Sequence, residues 1–420
     1  MNINLMKLLW SKQGVTGLLV FLLPCLSLVT LWGVSACSFL FFLVSLAFWK
    51  DCRAVLLRHW SAVRWVVLAF LANFLFVALC FALRPDAILG NLEKPARMFF
   101  AVSALALVLA FRPPRAVLWW GVIAGALGGA GLVFYQGLGL DMERPGGMIN
   151  PITYGDLLLC LSLLSLTAAL DMRQGLRILW PALAALAGFG GVILNGTRGG
   201  WIALILAALV LVRYSHVIKG RLAPALLALS FSLLAAAYFV PATGVRERVQ
   251  QGVSDATTYF DGGSAFSNVG IRLEMWKAAA LLIAERPLLG ADKVVVRADL
   301  ERYVKEGKVK DVVLPMPHFH NDGVQAMVTG GVVGFAAWLA TLLAPLLFFA
   351  KVLRTRDGEG KRQFALALGG MLVVVSFFSF GLTEVIFWSV KGSLFYALMV
   401  FLLMGMCLNA KENVKVNDGK

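Results

Sequence analysis

Charge is scarce in this chain. Asp, Glu, Lys and Arg make up 15% of its 420 residues, against about 25% in soluble domains. Hydrophobic residues make up 60%, and mean hydropathy is +0.82. A single water-soluble globule of this size is therefore excluded. The six cysteines, Cys25, Cys37, Cys52, Cys80, Cys160 and Cys407, all avoid the longest polar stretch, residues 241–322, and form no Cys-x-x-Cys pair. A disulfide framework and a thiolate metal cluster are both excluded. There is no low-complexity segment and no internal repeat, which argues against a transporter built from two related halves. The net charge of +15 is spread over separate loops, so no continuous basic face is available for nucleic acid.

What is present is a series of apolar runs. Twelve read as membrane spans, at about 15–32, 34–49, 64–83, 95–111, 116–136, 152–170, 178–194, 199–213, 222–240, 323–350, 363–382 and 389–408. Those at 34–49 and 199–213 are marginal in length. In lipid only helices satisfy their own backbone hydrogen bonds within one segment, so the expected fold is all-α and polytopic. The N-terminal run continues past Cys37 to Trp49, which suits a helical hairpin better than a cleaved signal peptide.

Orientation follows from Lys and Arg. The N-terminus, the loops 50–64, 112–115, 171–177, 213–221 and 351–362 and the C-terminal tail carry 21 of the 38 basic residues. The short loops of the other face carry six. Positive-inside places both termini in the cytoplasm and residues 241–322 outside. The expected organisation is spans 1–9 over residues 1–240, a helical insertion over 241–322, spans 10–12 over 323–409 and a cytoplasmic tail over 410–420. The insertion is too long to be structureless. Helices are expected at 271–285 and 296–306, both lying on the outer membrane surface, with a hinge at 261–266.

Polar chemistry concentrates at 315–334, PMPHFHNDGVQAMVTGGVVG. Asn321 or Asp322 can cap the helix that follows. His320 beside that helix end can serve as a general base, a role that contributes roughly 10²–10⁴ in rate. It can also be an interfacial histidine, or a metal ligand with His318 and Asp322. Arg198, in the turn Asn195-Gly-Thr-Arg-Gly-Gly-Trp201, lies close to the hydrocarbon. There an arginine has a partner or a function, unless it merely snorkels. Its guanidinium suits phosphate. Arg272 stands at a helix start, where a cation opposes the macrodipole unless it faces an anion; a salt bridge to Glu274 or Glu285 is the alternative. In the loop 137–156, Asp141 and Glu143 could be a carboxylate metal pair or simply solvated, and Arg144 is a secondary site candidate. Glu384 can orient a base, bind sugar hydroxyls or pair with Lys391.

Taken together these residues resemble a known superfamily. His320-Asn321, nine residues, then Gly331-Val-Val-Gly334 matches its His-[Asn/Ser/Gln] … Gly-x-x-Gly pattern. Thr197-Arg-Gly-Gly200 and Arg272-x-x-x-Trp276 match its two functional arginines, and the topology matches over nearly the whole chain. The chain looks like the O-antigen ligases of Gram-negative bacteria, which share their superfamily with O-antigen polymerases and protein oligosaccharyltransferases. The resemblance implies a GT-C-like, metal-independent, inverting glycosyltransferase of the inner membrane that uses no cofactor. Its donor would be O-antigen on undecaprenyl pyrophosphate and its acceptor a sugar hydroxyl of lipid A–core. His320 would be the base, Arg198 and Arg272 the pyrophosphate ligands, and His318, Asn321, Glu384 and Arg144 secondary candidates. A polymerase of the same superfamily differs only in acceptor. A lipid-linked-sugar transporter, the reading from another class, needs charge deep in mid-membrane, whereas here the polar residues gather at one face.

Overall fold

The computed structural model describes residues 11–84, 89–172, 175–197, 199–214, 232, 238–239, 245–354 and 361–418. Among these residues the regular structure is helical, with no strand. The first part of the chain forms α1 (Lys12–Val29), α2 (Gly33–Ala47), α3 (Trp49–Arg58), α4 (Trp60–Leu83), α5 (Gly90–Phe100), α6 (Val102–Phe111), α7 (Arg115–Phe134), α8 (Pro151–Asp171), α9 (Leu179–Asn195) and α10 (Gly200–Arg213). Three helices follow in the insertion: α11 (Val245–Phe260), α12 (Asn268–Glu285) and α13 (Lys293–Lys305). The chain closes with α14 (Asp322–Arg354), α15 (Lys361–Gly381) and α16 (Val390–Asp418).

Among the described residues, nine helical segments are long and apolar enough to cross a membrane. A tenth arises if α2 and α3, bent by 93° at their junction, count as one span. The expected straight span 34–49 is therefore corrected. The helix ends at Ala47, and α3, with Lys50, Asp51, Arg53 and Arg58 in ten residues, turns away because those charges are costly in hydrocarbon. α10 has 14 residues, or about 21 Å of helix, shorter than the ~30 Å hydrocarbon core. Of the expected span 222–240, only residues 232, 238 and 239 are among those described.

The centre of the bundle is α8 with α15 beside it, and α16 packs on α15. Their apolar windows are 94%, 83% and 89% buried within the protein. A helix apolar on every face suits such a position. The serine hydroxyls of α8 are satisfied internally: Ser162 donates to the Leu158 carbonyl at 2.7 Å and Ser165 to that of Leu161 at 2.8 Å. Around it, α7 packs on α1 and α9. At Gly125 of α7 an added Cβ would lie 2.1 Å from the Pro24 carbonyl oxygen, the close backbone approach that small residues permit between membrane helices.

The insertion has a second core, which includes Met275, Leu282, Val296, Leu300 and Tyr303. Phe319 and Val328 also belong to it, so the loop before α14 and the first turns of α14 are clamped by the insertion. Polar ties reinforce the pairing of α12 with α13. Arg302 reaches Glu285 at 2.9 Å and Asp299 at 2.8 Å, and Arg286 reaches Asp299 at 2.5 Å. The expected helices 271–285 and 296–306 exist but start three residues earlier, capped by Ser267 and Asp292. The first insertion helix, α11, was not expected. The expected hinge opens with a turn at Gly262, φ +80°, that closes α11.

α14 is broken near its start. Gly331 has φ +58° and ψ −161°, far from helical, and the insertion docks into the break. The N–H groups of Val332 and Val333 donate to the carbonyls of Pro287 and Leu288 at 2.8 and 3.3 Å, and Ala291 N–H donates to the Val328 carbonyl at 2.9 Å. Arg84, at the end of α4, donates to the carbonyls of Leu289 and Thr329 at 2.6 and 3.2 Å. An added Cβ at Gly331 would lie 2.4 Å from the Leu288 carbonyl oxygen; one at Gly334 would meet the Phe76 ring at 2.6 Å. The two motif glycines thus permit a backbone dock and a ring contact.

Candidate functional site: a histidine pair on one carboxylate

Two histidines converge on Glu384. His320 Nδ1 lies 3.2 Å from Glu384 Oε2, and His318 Nε2 lies 3.3 Å from Glu384 Oε1. The imidazoles stand edge to face with centroids 4.5 Å apart. The side chains are largely enclosed, at 14% exposure for His318, 21% for His320 and 10% for Glu384.

Each is held by local structure. His320 has φ +50°, a left-handed conformation uncommon outside glycine and typical of positions fixed by their surroundings. Asn321 next to it caps α14: its side-chain oxygen accepts from Val324 N–H at 3.0 Å, and its amide donates to the Leu382 carbonyl at 3.1 Å. Of the two expected capping residues, Asn321 is the cap. Asp322 instead faces the bundle and accepts from Phe387 N–H at 3.3 Å. Before His320, Phe319 N–H donates to Gln325 Oε1 at 3.2 Å, and the Phe319 carbonyl accepts from the Trp276 indole at 2.9 Å. Glu384 follows the end of α15, where Val385 N–H donates to its Oε1 at 3.0 Å.

These contacts define protonation. Burial pushes the Glu384 carboxyl up, but the hydrogen bonds from His320 and Val385 N–H outweigh it and hold it below the usual carboxylate range. An ionised carboxylate only accepts. His320 therefore carries its proton on Nδ1, leaving the Nε2 lone pair for a substrate. Burial lowers His318, and the Glu384 charge only partly offsets this, so it stays uncharged to lower pH than an ordinary histidine.

Arg272 lies on α12, four residues before Trp276 and so on the same helix face. Because the helix begins at Asn268, Arg272 is one turn inside it and does not open it. The expected alternative partners are taken. Glu274 binds Tyr259, Lys277 and Lys310 N–H, and Glu285 binds Arg302. Arg272 makes no hydrogen bond or ion pair with any described residue. Its charge acts on Glu384 and on His318. Burial lowers it and Glu384 opposes that; a guanidinium stays cationic throughout.

Arg198 lies outside the described residues. Its neighbours are placed: Asn195 donates to the carbonyls of Pro145 and Pro151 at 2.5 and 3.0 Å, and Thr197 donates to Asn195. A Cβ on Gly199 would meet the Thr383 hydroxyl at 2.4 Å, so the turn flanking residue 198 abuts the segment that carries Glu384. Arg144 is exposed in the loop between α7 and α8, with no ion pair among the described residues. Asp141 and Glu143 are exposed and Asp156 is buried in α8, so they do not form one carboxylate site. Lys391 donates to the Thr30 carbonyl at 2.7 Å and not to Glu384, which corrects that alternative.

His318, His320 and Glu384 are also the one group among the described residues that could hold a metal ion, with ligand atoms within 4.8 Å of one another. The carboxylate in this set is Glu384, not the expected Asp322. Trp388, whose ring centroid lies 5.9 Å from that of His318, is a neighbour that sequence reasoning missed. No spacing connects it to the histidines.

A helical membrane bundle whose polar site joins a His–Glu–His cluster to an arginine with no ion-pair partner among the described residues defines the class. The O-antigen ligase family matches residues 183–339, a segment that holds Arg198, Arg272, His320, Gly331 and Gly334 but not Glu384. That match supports a member of the O-antigen ligase/polymerase superfamily. It is also similar to an uncharacterized protein of Haemophilus influenzae, 24% identical over 344 residues, which are 80% of this chain and 85% of that protein.

Proposed function

We propose that this protein is an O-antigen ligase that transfers a glycan from undecaprenyl pyrophosphate to a sugar hydroxyl of lipid A–core. The observation that carries the reading is the Glu384–His320 contact, on which the charge of Arg272 also acts. His320 Nε2 takes the acceptor hydroxyl proton as the oxygen attacks the anomeric carbon. The bond from that carbon to the pyrophosphate oxygen breaks, and its electron pair leaves with the pyrophosphate. Attack from the face opposite the leaving group inverts the anomeric centre. The imidazolium is stabilised by Glu384, as a buried carboxylate stabilises a catalytic histidine elsewhere. Arg272, with Arg198, meets the charge that develops on the pyrophosphate.

The proposed topology is twelve spans in the inner membrane, cytoplasmic termini and a periplasmic insertion, supported by the Lys and Arg asymmetry. A cysteine placed at Lys305 on a cysteine-free background should react with an impermeant thiol reagent in intact spheroplasts. Labelling only after the membrane is breached contradicts the topology. The reaction is tested with purified protein, lipid A–core and undecaprenyl-linked polysaccharide, with and without EDTA. High-mass lipopolysaccharide in both arms is expected. Polymer lengthening on the carrier alone indicates a polymerase, and loss of activity in EDTA indicates a metal on the His–Glu–His cluster.

A further inference from the structure

We propose that Trp388 and Lys94 form the subsite for the acceptor sugar, the indole taking the sugar ring and the ammonium an anionic group on it. This rests on the transferase reading above. The short turn before α16 is otherwise buried, with Val385 at 5%, Ile386 at 0% and Phe387 at 8% exposure, yet Trp388 is 44% exposed. The turn is fixed from below. Phe387 N–H donates to Asp322, the Ser393 hydroxyl donates to the Phe387 carbonyl at 2.8 Å, and Trp388 N–H donates to the Val385 carbonyl at 3.0 Å. A rigid turn thus presents one large ring two rings away from the base: Trp388 to His318 at 5.9 Å, then His318 to His320 at 4.5 Å.

Lys94 reaches the same ring from α5. Its Nζ lies 5.7 Å from the Trp388 centroid and 3.4 Å from the Trp388 carbonyl. It makes no ion pair with any described carboxylate, and Asp322 is buried under the turn. An ammonium over an indole, with no described acid in contact, offers a point charge to an anion. The C–H face of a pyranose matches an aromatic face, and the neighbouring ammonium suits a phosphorylated or acidic sugar. The donor pyrophosphate has its own cation in Arg272 on the insertion, so this second cation on the bundle side is assigned to the acceptor.

The test uses full-length protein with saturating undecaprenyl-linked donor, and titrates lipid A–core before and after phosphatase treatment. Trp388→Ala should raise the half-saturating acceptor concentration about 10-fold, with most of the loss there and not in turnover. Trp388→Phe should recover most of it. Lys94→Gln should weaken phosphorylated acceptor about 5-fold and leave dephosphorylated acceptor unchanged. An unchanged half-saturation in Trp388→Phe and Trp388→Ala, both correctly inserted, overturns the subsite and makes Trp388 an interfacial anchor. A Lys94→Gln loss equal for both acceptors overturns the anion role. No transfer by wild type to any acceptor removes the transferase reading itself, and the subsite with it.

Discussion

The indole of Trp276 donates to the carbonyl of Phe319 at 2.9 Å, and this bond joins the arginine helix to the histidine loop. Trp276 and Arg272 are one helical turn apart on α12, so a tie made by the first aims the second at the site. Trp276→Phe keeps an aromatic side chain and removes the donor. Loss of such a bond typically costs about 1 kcal/mol of stability. Misplacing the loop should cost more in turnover, roughly 10-fold or greater. Thermal melting and transfer measured on the same preparation check this. Equal activity with an unchanged melt removes the positioning role.

Arg272→Ala should insert normally and lose roughly 10²–10³ in transfer, the scale for deleting one stabiliser of developing charge. Arg272→Lys should recover part of it, because a point charge lacks the guanidinium fork. Arg198→Ala is expected to behave likewise. Binding of pyrophosphate-linked donor by the alanine variants is the check; wild-type affinity and turnover contradict the leaving-group role.

The site also sets a pH dependence. The Glu384 carboxyl is held below its ordinary value, so the stability it contributes is present above about pH 4.3 and is lost as pH falls through its folded value. His318 is also lowered. It is uncharged in both states above about pH 6.5 and disfavours folding as acid charges the unfolded chain first. Both effects make acid destabilising. The melting temperature should fall between pH 6.5 and 4, and Glu384→Gln should flatten the lower part of that fall. The same variant should lower transfer at pH 7.5 by about 10² or more. A Glu384→Gln enzyme as active as wild type removes the orienting carboxylate from the account.

Much of this was legible in the chain and some was not. Apolar runs marked the helices that the structure also has, because burial in lipid leaves a composition signal. The 93° bend after α2 was hidden because Phe48 and Trp49 continue the apolar run through the break. Residue type and spacing singled out His320 and Arg272 as candidates and left the cap between Asn321 and Asp322. Glu384 was visible as a charge near a span end that could orient a base, but its partner was not; its 64-residue separation from His320 is closed by tertiary packing of α14 on α15, which no local pattern encodes. Trp276 as a donor, Trp388 as a neighbour and the docking of residues 287–291 into the α14 break are likewise properties of packing.

The break in α14 carries its own test. Gly331 and Gly307 both have positive φ, at +58° and +67°, but a Cβ at Gly331 would meet the Leu288 backbone while one at Gly307 meets open space. Gly307→Ala should cost about 1 kcal/mol from the left-handed conformation alone. Gly331→Ala should cost at least about 3 kcal/mol, since the dock must also open, and it should depress transfer by loosening the insertion. Unfolding free energies for the pair decide it; equal costs contradict the dock.

The most direct measurement compares His320→Ala with His318→Ala at pH 7.5 with donor in excess. Both imidazoles touch Glu384, and only His320 is assigned as base. His320→Ala should lose at least about 10² in turnover while still binding donor, and His318→Ala should lose less than about 10-fold. An active His320→Ala enzyme beside a dead His318→Ala enzyme places the base on the wrong histidine, and two active enzymes contradict a histidine base altogether.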